Sequence, residues 1–312
     1  MKVNINIETV QFPFSQRPSL KNITLKILGG EIVQVCGLSG SGKTTLCYTI
    51  AGIIPDFINA IVNGKGEIDG RPVSEMPGKE RTQAVAVVTE DPLSSITQVS
   101  SNVEEEISIS LHGAGFRNEE IVQRAEQALE RFGIFSLKKS TPSGLSGGQQ
   151  VRLVLASVTA LRPKIYIIDD GIGHLDNSAT TEFFEYLELE AKSGAIVIYV
   201  SNKLVLGAKF AHRIIALSEG QLAFDGKPQG AATNDIVRLA ADDNPYFEFY
   251  RKVAPVLKSY KGQKRRTAKG DISNVGPFDG IEVEKLAEVP ITLETLLKTL
   301  EPLLFDGRSS GN

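Results

Sequence analysis

The chain has 312 residues, 41% hydrophobic and 23% charged, with a formal net charge of -3 at pH 7. That length gives one large or two modest domains with ample core, and the slight net acidity excludes a nucleic-acid binder that works through a broadly basic surface. No apolar run approaches the ~20 residues that span a bilayer and no basic-then-apolar leader opens the chain, so a cytoplasmic protein is expected.

Residues 1 to 35 alternate short apolar strands with turns, at Ile5 to Val10 and Ile23 to Ile27, and end in Leu28-Gly29-Gly30-Glu31. This is the pattern of an antiparallel sheet. The apolar Glu31-Ile-Val-Gln-Val-Cys36 follows, then Gly37-Leu-Ser-Gly-Ser-Gly42-Lys43-Thr44, then the helical Thr45 to Ala51. The middle segment fits G-x-x-x-x-G-K-[ST], and a strand-to-helix turn is the context that motif requires. Glycines let the backbone approach a phosphate, and the helix N-terminus adds unpaired N–H donors and the positive end of a dipole. A nucleoside triphosphate site is therefore expected, with Gly37, Ser39, Gly40, Ser41, Gly42 and Thr45 wrapping phosphate. Lys43 should reach the β- and γ-phosphates and Thr44 a magnesium ion. Cys36 and Cys47 flank the loop in apolar stretches, which predicts buried reduced thiols rather than a disulfide or a metal site.

Thr82 to Val88 reads as another buried strand, and from about 93 to 160 the character turns helical. Asn118 can cap a helix with Ile121, Val122, Ala125, Leu129 and Phe132 on one stripe, closed by Gly133. Leu145-Ser-Gly-Gly-Gln-Gln150 opens a helical segment over Val151 to Leu161. Ile165 to Ile168, ending in Asp169-Asp170, and Ala195 to Val200 are continuous apolar runs, each after a helical segment, as in a parallel sheet covered on both faces. The core is thus expected to be α/β. Past 228 the pattern loosens. Lys258, Lys261, Lys264, Arg265, Arg266 and Lys269 form a run without an acid, read as a solvated linker or as a contact for anionic lipid. Leu293, Leu296, Leu297 and Leu300 form a helical stripe that Thr292 can cap, with Ile291 and Leu296 placed as a staple; it would dock on this domain or on a partner. Residues 307 to 312 read as a disordered tail.

The phosphate loop, Leu145-Ser146-Gly147-Gly148-Gln149 and the strand-end Asp169 together resemble the ABC ATPases in motif identity, order and spacing. The resemblance covers roughly residues 1 to 228, including 213 to 226, which is similar to the family's closing strand pair. It implies a P-loop NTPase core of the ABC type with an antiparallel β subdomain, a helical signature subdomain at about 93–160, and a C-terminal extension at 229–312. It also implies ATP and Mg2+ as ligands, with Asp169, Thr44 and Glu90 around the metal. In this family Ser146, Gly147, Gly148 and Gln149 would bind the γ-phosphate of the nucleotide held by the opposite subunit of a head-to-tail dimer. Phe14 matches the aromatic that stacks on adenine, with Phe12 read as core. Asp176, in Gly173-His174-Leu175-Asp176, matches the D-loop at the same interface; His174 replaces a small residue there, as an interface contact or, alternatively, a catalytic substitute.

Ala51-Gly-Ile-Ile-Pro55 through Gly64 to Gly70, and Asn102-Val-Glu-Glu-Glu-Ile107, are similar to the ATPase subunits of energy-coupling factor transporters, which import vitamins and transition-metal ions. This implies a second ATPase subunit, with a heterodimer favoured, and an integral membrane coupling subunit docked in a groove around residues 90 to 112. The chain would then sit peripherally on the cytoplasmic face of the cell membrane. It departs from the family at three catalytic positions: Asp170 stands for the usual glutamate, Glu90 for a glutamine and Asn202 for a histidine. Hydrolysis needs an oriented water, a carboxylate to polarise it and donors for developing charge, and ~1 Å of misplacement can cost ~100-fold. Asp170 is one methylene short, Glu90 sets negative charge towards the γ-phosphate, and Asn202 cannot carry a positive charge. A slow site of its own is expected. The alternatives are a nucleotide-gated structural or regulatory subunit with negligible hydrolysis, and a soluble ABC protein outside transport.

Overall fold

The computed structural model of the chain describes residues 1–240 apart from 98, 173, 174, 176, 203–209, 232 and 233. The readings of the basic run, the leucine stripe, the tail, His174 and Asp176 lie outside the described residues.

β1 (Lys2–Gln11) and β2 (Leu20–Leu28) pair antiparallel, and β1 pairs on its other side with β4 (Ile61–Ile68), which carries the two-residue β5 (Arg71–Pro72). Alternation drives this sheet: Val3, Ile5 and Ile7 on β1 and Ile23, Leu25 and Ile27 on β2 all point to one buried face. The step from Ile7 to Val10 breaks the period of two, and the register against β4 shifts between Ile7 and Thr9.

The second sheet has strand order β10-β9-β3-β8-β7-β6. Its strands β3 (Ile32–Cys36), β6 (Val85–Val88), β7 (Ile165–Asp169), β8 (Ile196–Val200) and β9 (Arg213–Ser218) run parallel, and β10 (Gln221–Gly226) returns antiparallel on β9. Every residue of β3, β7 and β8 is buried, as continuous apolar runs require. Val33, Val35, Ile165, Ile167, Ile196 and Ile198 face the first sheet across α1 (Lys43–Ala51), which adds Leu46 and Ile50 to that core. Tyr166, Ile168, Val197 and Tyr199 face the other way, into a core built with α3 (Val103–Gly113), α4 (Asn118–Arg131), α5 (Gly147–Leu161) and α6 (Asn177–Lys192). The parallel sheet thus holds α1 and the phosphate loop at one edge of two cores.

Several expectations shift. Thr82 to Ala84 are not strand but the end of α2 (Gly78–Ala84), which Pro77 opens, and the Thr82 hydroxyl donates back to Gly78 O at 2.9 Å. The continuous apolar run starts only at Ala84, so local propensity decides the preceding turn. Asn118 is the first residue of α4 rather than its cap; the Arg117 N–H donates to Glu120 Oε2 at 3.4 Å. Val122 is 51% exposed, because the stripe of Ile121, Ala125 and Leu129 already fills the face towards α5. α5 begins at Gly147, four residues before the expected Val151, because the Ser146 cap makes the glycines its first turn.

Candidate functional site

β3 ends at Cys36, and the chain turns through Gly37 (φ 151°), Gly40 (φ 76°) and Gly42 (φ 100°) into α1. Two of these glycines are dictated by neighbours: a side chain at Gly37 would meet Leu217 O and Ser41 Oγ, and one at Gly42 would meet Ser19 O at 2.7 Å. Gly40 faces open space, with nothing within 4 Å of where a side chain would start. No side chain caps α1, so its first-turn N–H groups stay available to an anion.

Lys43 folds over this turn, Nζ donating to Gly37 O at 2.7 Å and Leu38 O at 3.1 Å. Ser41 is buried and its Oγ has no partner, whereas Ser39 is exposed. Thr44 is exposed, and Thr45 is buried with its hydroxyl 2.9 Å from that of Ser19. Ser19 went unnoticed in the sequence because it lies far upstream in an unremarkable turn. Cys36 and Cys47 are buried free thiols. Burial pushes Cys36 up to about 12 against the opposing pull of Lys43, and raises Cys47 well above its ordinary value.

Asp169 ends β7 beside this loop. It is 3% exposed, and its Oδ2 has no partner. Burial raises its carboxyl above the ordinary value; the Thr44 hydroxyl counters this, the Glu90 charge adds to it, and Lys43 opposes it. Glu90 is exposed but close enough to be felt by Asp169 and by Tyr48, whose phenol is raised chiefly by burial. Asp170 is exposed and holds a left-handed backbone, φ 53°. Asn202, just past β8, accepts the Gly37 N–H on Oδ1 at 3.2 Å. Lys43, Thr44, Asp169, Glu90 and Asn202 therefore converge on one loop. Phe14 stands apart, fully exposed at φ 64° beyond β1, while Phe12 packs partly against the core of the first sheet.

The signature turn is built by a reciprocal cap: Ser146 Oγ accepts the Gln149 N–H at 3.4 Å and Gln149 Oε1 accepts the Ser146 N–H at 2.9 Å. Buried Leu145 anchors the turn, and Ser146 and Gly147 face solvent. Among the described residues no hydrogen bond links Ser146 to Gln149 with the phosphate loop of the same chain. A cavity of about 400 Å3 opens between the sheet core and the helical segment, lined among others by Phe57, Arg81, Ile96, Glu106, Ser110 and Val154. Most of that lining falls outside the 90 to 112 window, on elements that only folding brings together. Glu106, 4% exposed, is satisfied by the Thr97 N–H and hydroxyl at 2.7 and 2.9 Å and by the Ser100 hydroxyl.

A parallel sheet carrying a glycine-rich strand-to-helix turn, with a lysine in the turn and a buried carboxylate at the end of β7, one strand beyond the β8 that pairs with β3, defines a P-loop nucleotide-binding protein. The family model for ABC transporters matches residues 20–172. The energy-coupling factor transporter ATP-binding protein EcfA1 of Enterococcus faecalis is 31% identical over 233 residues, covering 73% of this chain and 81% of that protein. The solved structure of cbiO1 from Clostridium perfringens, part of the ABC transporter complex cbiONQ, matches with TM-score 0.62 at 24% identity over 80% of this chain and 98% of that one. The ATP-binding cassette in a dimeric post-hydrolysis state with ADP and Pi matches with TM-score 0.61 at 25% identity, covering 72% and 98%. The chain belongs to the ATP-binding subunits of ABC transporters and is an ATPase of that family. Among the described residues no helix is long and apolar enough to cross a membrane.

Proposed function

We propose that this chain is the ATP-binding subunit of an importer of the energy-coupling factor type, working beneath an integral membrane subunit and paired head to tail with a second ATPase. The observation that carries this is the convergence on one uncapped helix N-terminus of Lys43, Thr44 and the partnerless buried oxygen of Asp169. Those groups suit a magnesium nucleotide: hard oxygen donors from Thr44 and Asp169, with Glu90 at the rim, fit Mg2+, which when bound offsets phosphate charge. The loop N–H groups and Lys43 hold the β- and γ-phosphates, Asp170 orients the attacking water, and Phe14 stands free to stack on a base. The similarity to EcfA1 supports the importer type, and a vitamin or metal ion is the class of cargo. The apolar-lined cavity beside Phe57 and Ile96 supports docking of a membrane partner, and the outward-facing signature supports service to a partner's nucleotide. A heterodimer fits best, because Asp170, Glu90 and Asn202 all weaken the same site.

Asp169→Asn separates the metal from the fold. A carboxyl raised by burial favours the folded state only while protonated, so that contribution is lost as pH rises through the raised value. The variant should therefore be at least as heat-stable as wild type at pH 7 without nucleotide, the difference closing towards acid, while magnesium-dependent turnover falls roughly 10–100-fold. Equal losses of stability and turnover would mean that Asp169 is structural. Purification of the chain from detergent-solubilised membranes should bring down an integral membrane protein and a second ATPase subunit; recovery of the chain without a membrane protein would refute the importer reading.

A further inference from the structure

We infer that Asn202 is a positioning residue for the phosphate loop: its side-chain oxygen clamps the Gly37 N–H and thereby sets affinity for the phosphates common to ATP and ADP, instead of sensing the γ-phosphate. This rests on the nucleotide site proposed above and assigns a different task to one of its members.

The clamp follows from strand register. β3 and β8 run parallel with Val35 opposite Val200, and Ser201 N–H continues the ladder by donating to Val35 O at 3.1 Å. A further step of that ladder would give the Gly37 N–H to Ser201 O. Ser201 O instead accepts the buried Gln34 Nε2 at 2.8 Å, and the Gly37 N–H goes to Asn202 Oδ1 at 3.2 Å. A side-chain amide thus stands in for the backbone at the point where strand becomes phosphate loop.

Gly37 is the residue that needs holding. Its φ of 151° and the closeness of Leu217 O and Ser41 Oγ leave it no side chain with which to pack. Its carbonyl is held by Lys43 at 2.7 Å. Once Lys43 turns to a nucleotide that tie is released, and Asn202 is the contact still fixing Gly37 while the loop closes on phosphate. An amide suits the task, since its oxygen accepts at every pH and its charge is zero.

The test uses the full chain and two nucleotides, with magnesium withheld so that ATP is not consumed. Asn202→Ala should raise the dissociation constants for ATP and ADP by the same factor, roughly 3–10-fold for one lost hydrogen bond. Amide exchange of the peptide containing Gly37 should quicken in the nucleotide-free variant. Asn202→Asp keeps the oxygen and discards the NH2 group, so it should retain the protection of Gly37; this also separates the clamp from general loss of fold. Weakened ATP with unchanged ADP would make Asn202 a γ-phosphate sensor and overturn the inference. So would unchanged affinity for both, or loss of Gly37 protection in Asn202→Asp. Lys43→Ala is the control: if it leaves both affinities intact, the nucleotide site itself is misassigned; if it removes both, only the clamp is in question.

Discussion

Lys43→Ala should weaken ATP binding to the isolated chain by about 10–100-fold, the loss of a charge-assisted contact, and should slow the assembled complex because a site that no longer holds nucleotide cannot close the proposed dimer. Lys43 Nζ donates to Gly37 O and Leu38 O, within the turn that phosphate would occupy. The remaining donors of the loop are backbone N–H groups and the neutral hydroxyls of Ser39, Ser41 and Thr44, which orient phosphate oxygens but do not neutralise them. Alanine removes the one formal positive charge in the turn and leaves the uncapped start of α1 to act alone. The fold should tolerate the change, since Lys43 is half-buried and its hydrogen bonds go to two loop carbonyls. Titration calorimetry with ATP, alongside thermal unfolding without it, checks both halves. Unchanged affinity would remove the basis of the nucleotide site.

Ser146→Arg should lower turnover of the assembled complex by about 10²-fold or more, as expected when a preorganised transition-state donor is lost. The proposed partner nucleotide would lie against the Ser146 hydroxyl and the first N–H groups of α5. Ser146 Oγ and Gln149 make the reciprocal cap that sets those groups in place, and Ser146 and Gly147 both face solvent. Arginine would break the cap and fill the space meant for phosphate. Because no hydrogen bond joins this turn to the chain's own loop among the described residues, nucleotide affinity of the isolated subunit should hardly move. A loss of ATP binding by the isolated subunit would show that the turn supports its own site.

The parts of the fold that were legible in the sequence are those with one dominant signal. Ile165 to Ile168 and Ile196 to Val200 are short, uninterrupted, β-branched-rich apolar runs, which suit buried strands, and Gly37 to Thr44 is a contiguous motif whose neighbours in sequence are its neighbours in space. Thr82 to Ala84 were misread because a short polar helix runs without pause into the four residues of β6. The ties that tune the site were not legible at all. Asn202 meets Gly37 from 165 residues away, Thr45 meets Ser19 from 26, and both depend on strand register that no local pattern encodes. Asn202 could be read as a substitution for histidine, but not as a clamp, because its partner is a backbone N–H with no signature of its own.

The proposed asymmetry between a slow site and a working signature is tested most directly by ATP turnover of the proposed membrane complex carrying Asp170→Asn or Ser146→Arg, beside turnover of the purified chain alone. Asp170 already presents a short carboxylate from a left-handed backbone, so its amidation should cost the complex less than about threefold, Ser146→Arg should nearly silence it, and the purified chain should be slow. Fast hydrolysis by the purified chain, removed by Asp170→Asn, would contradict the account and make this chain an ordinary active homodimer.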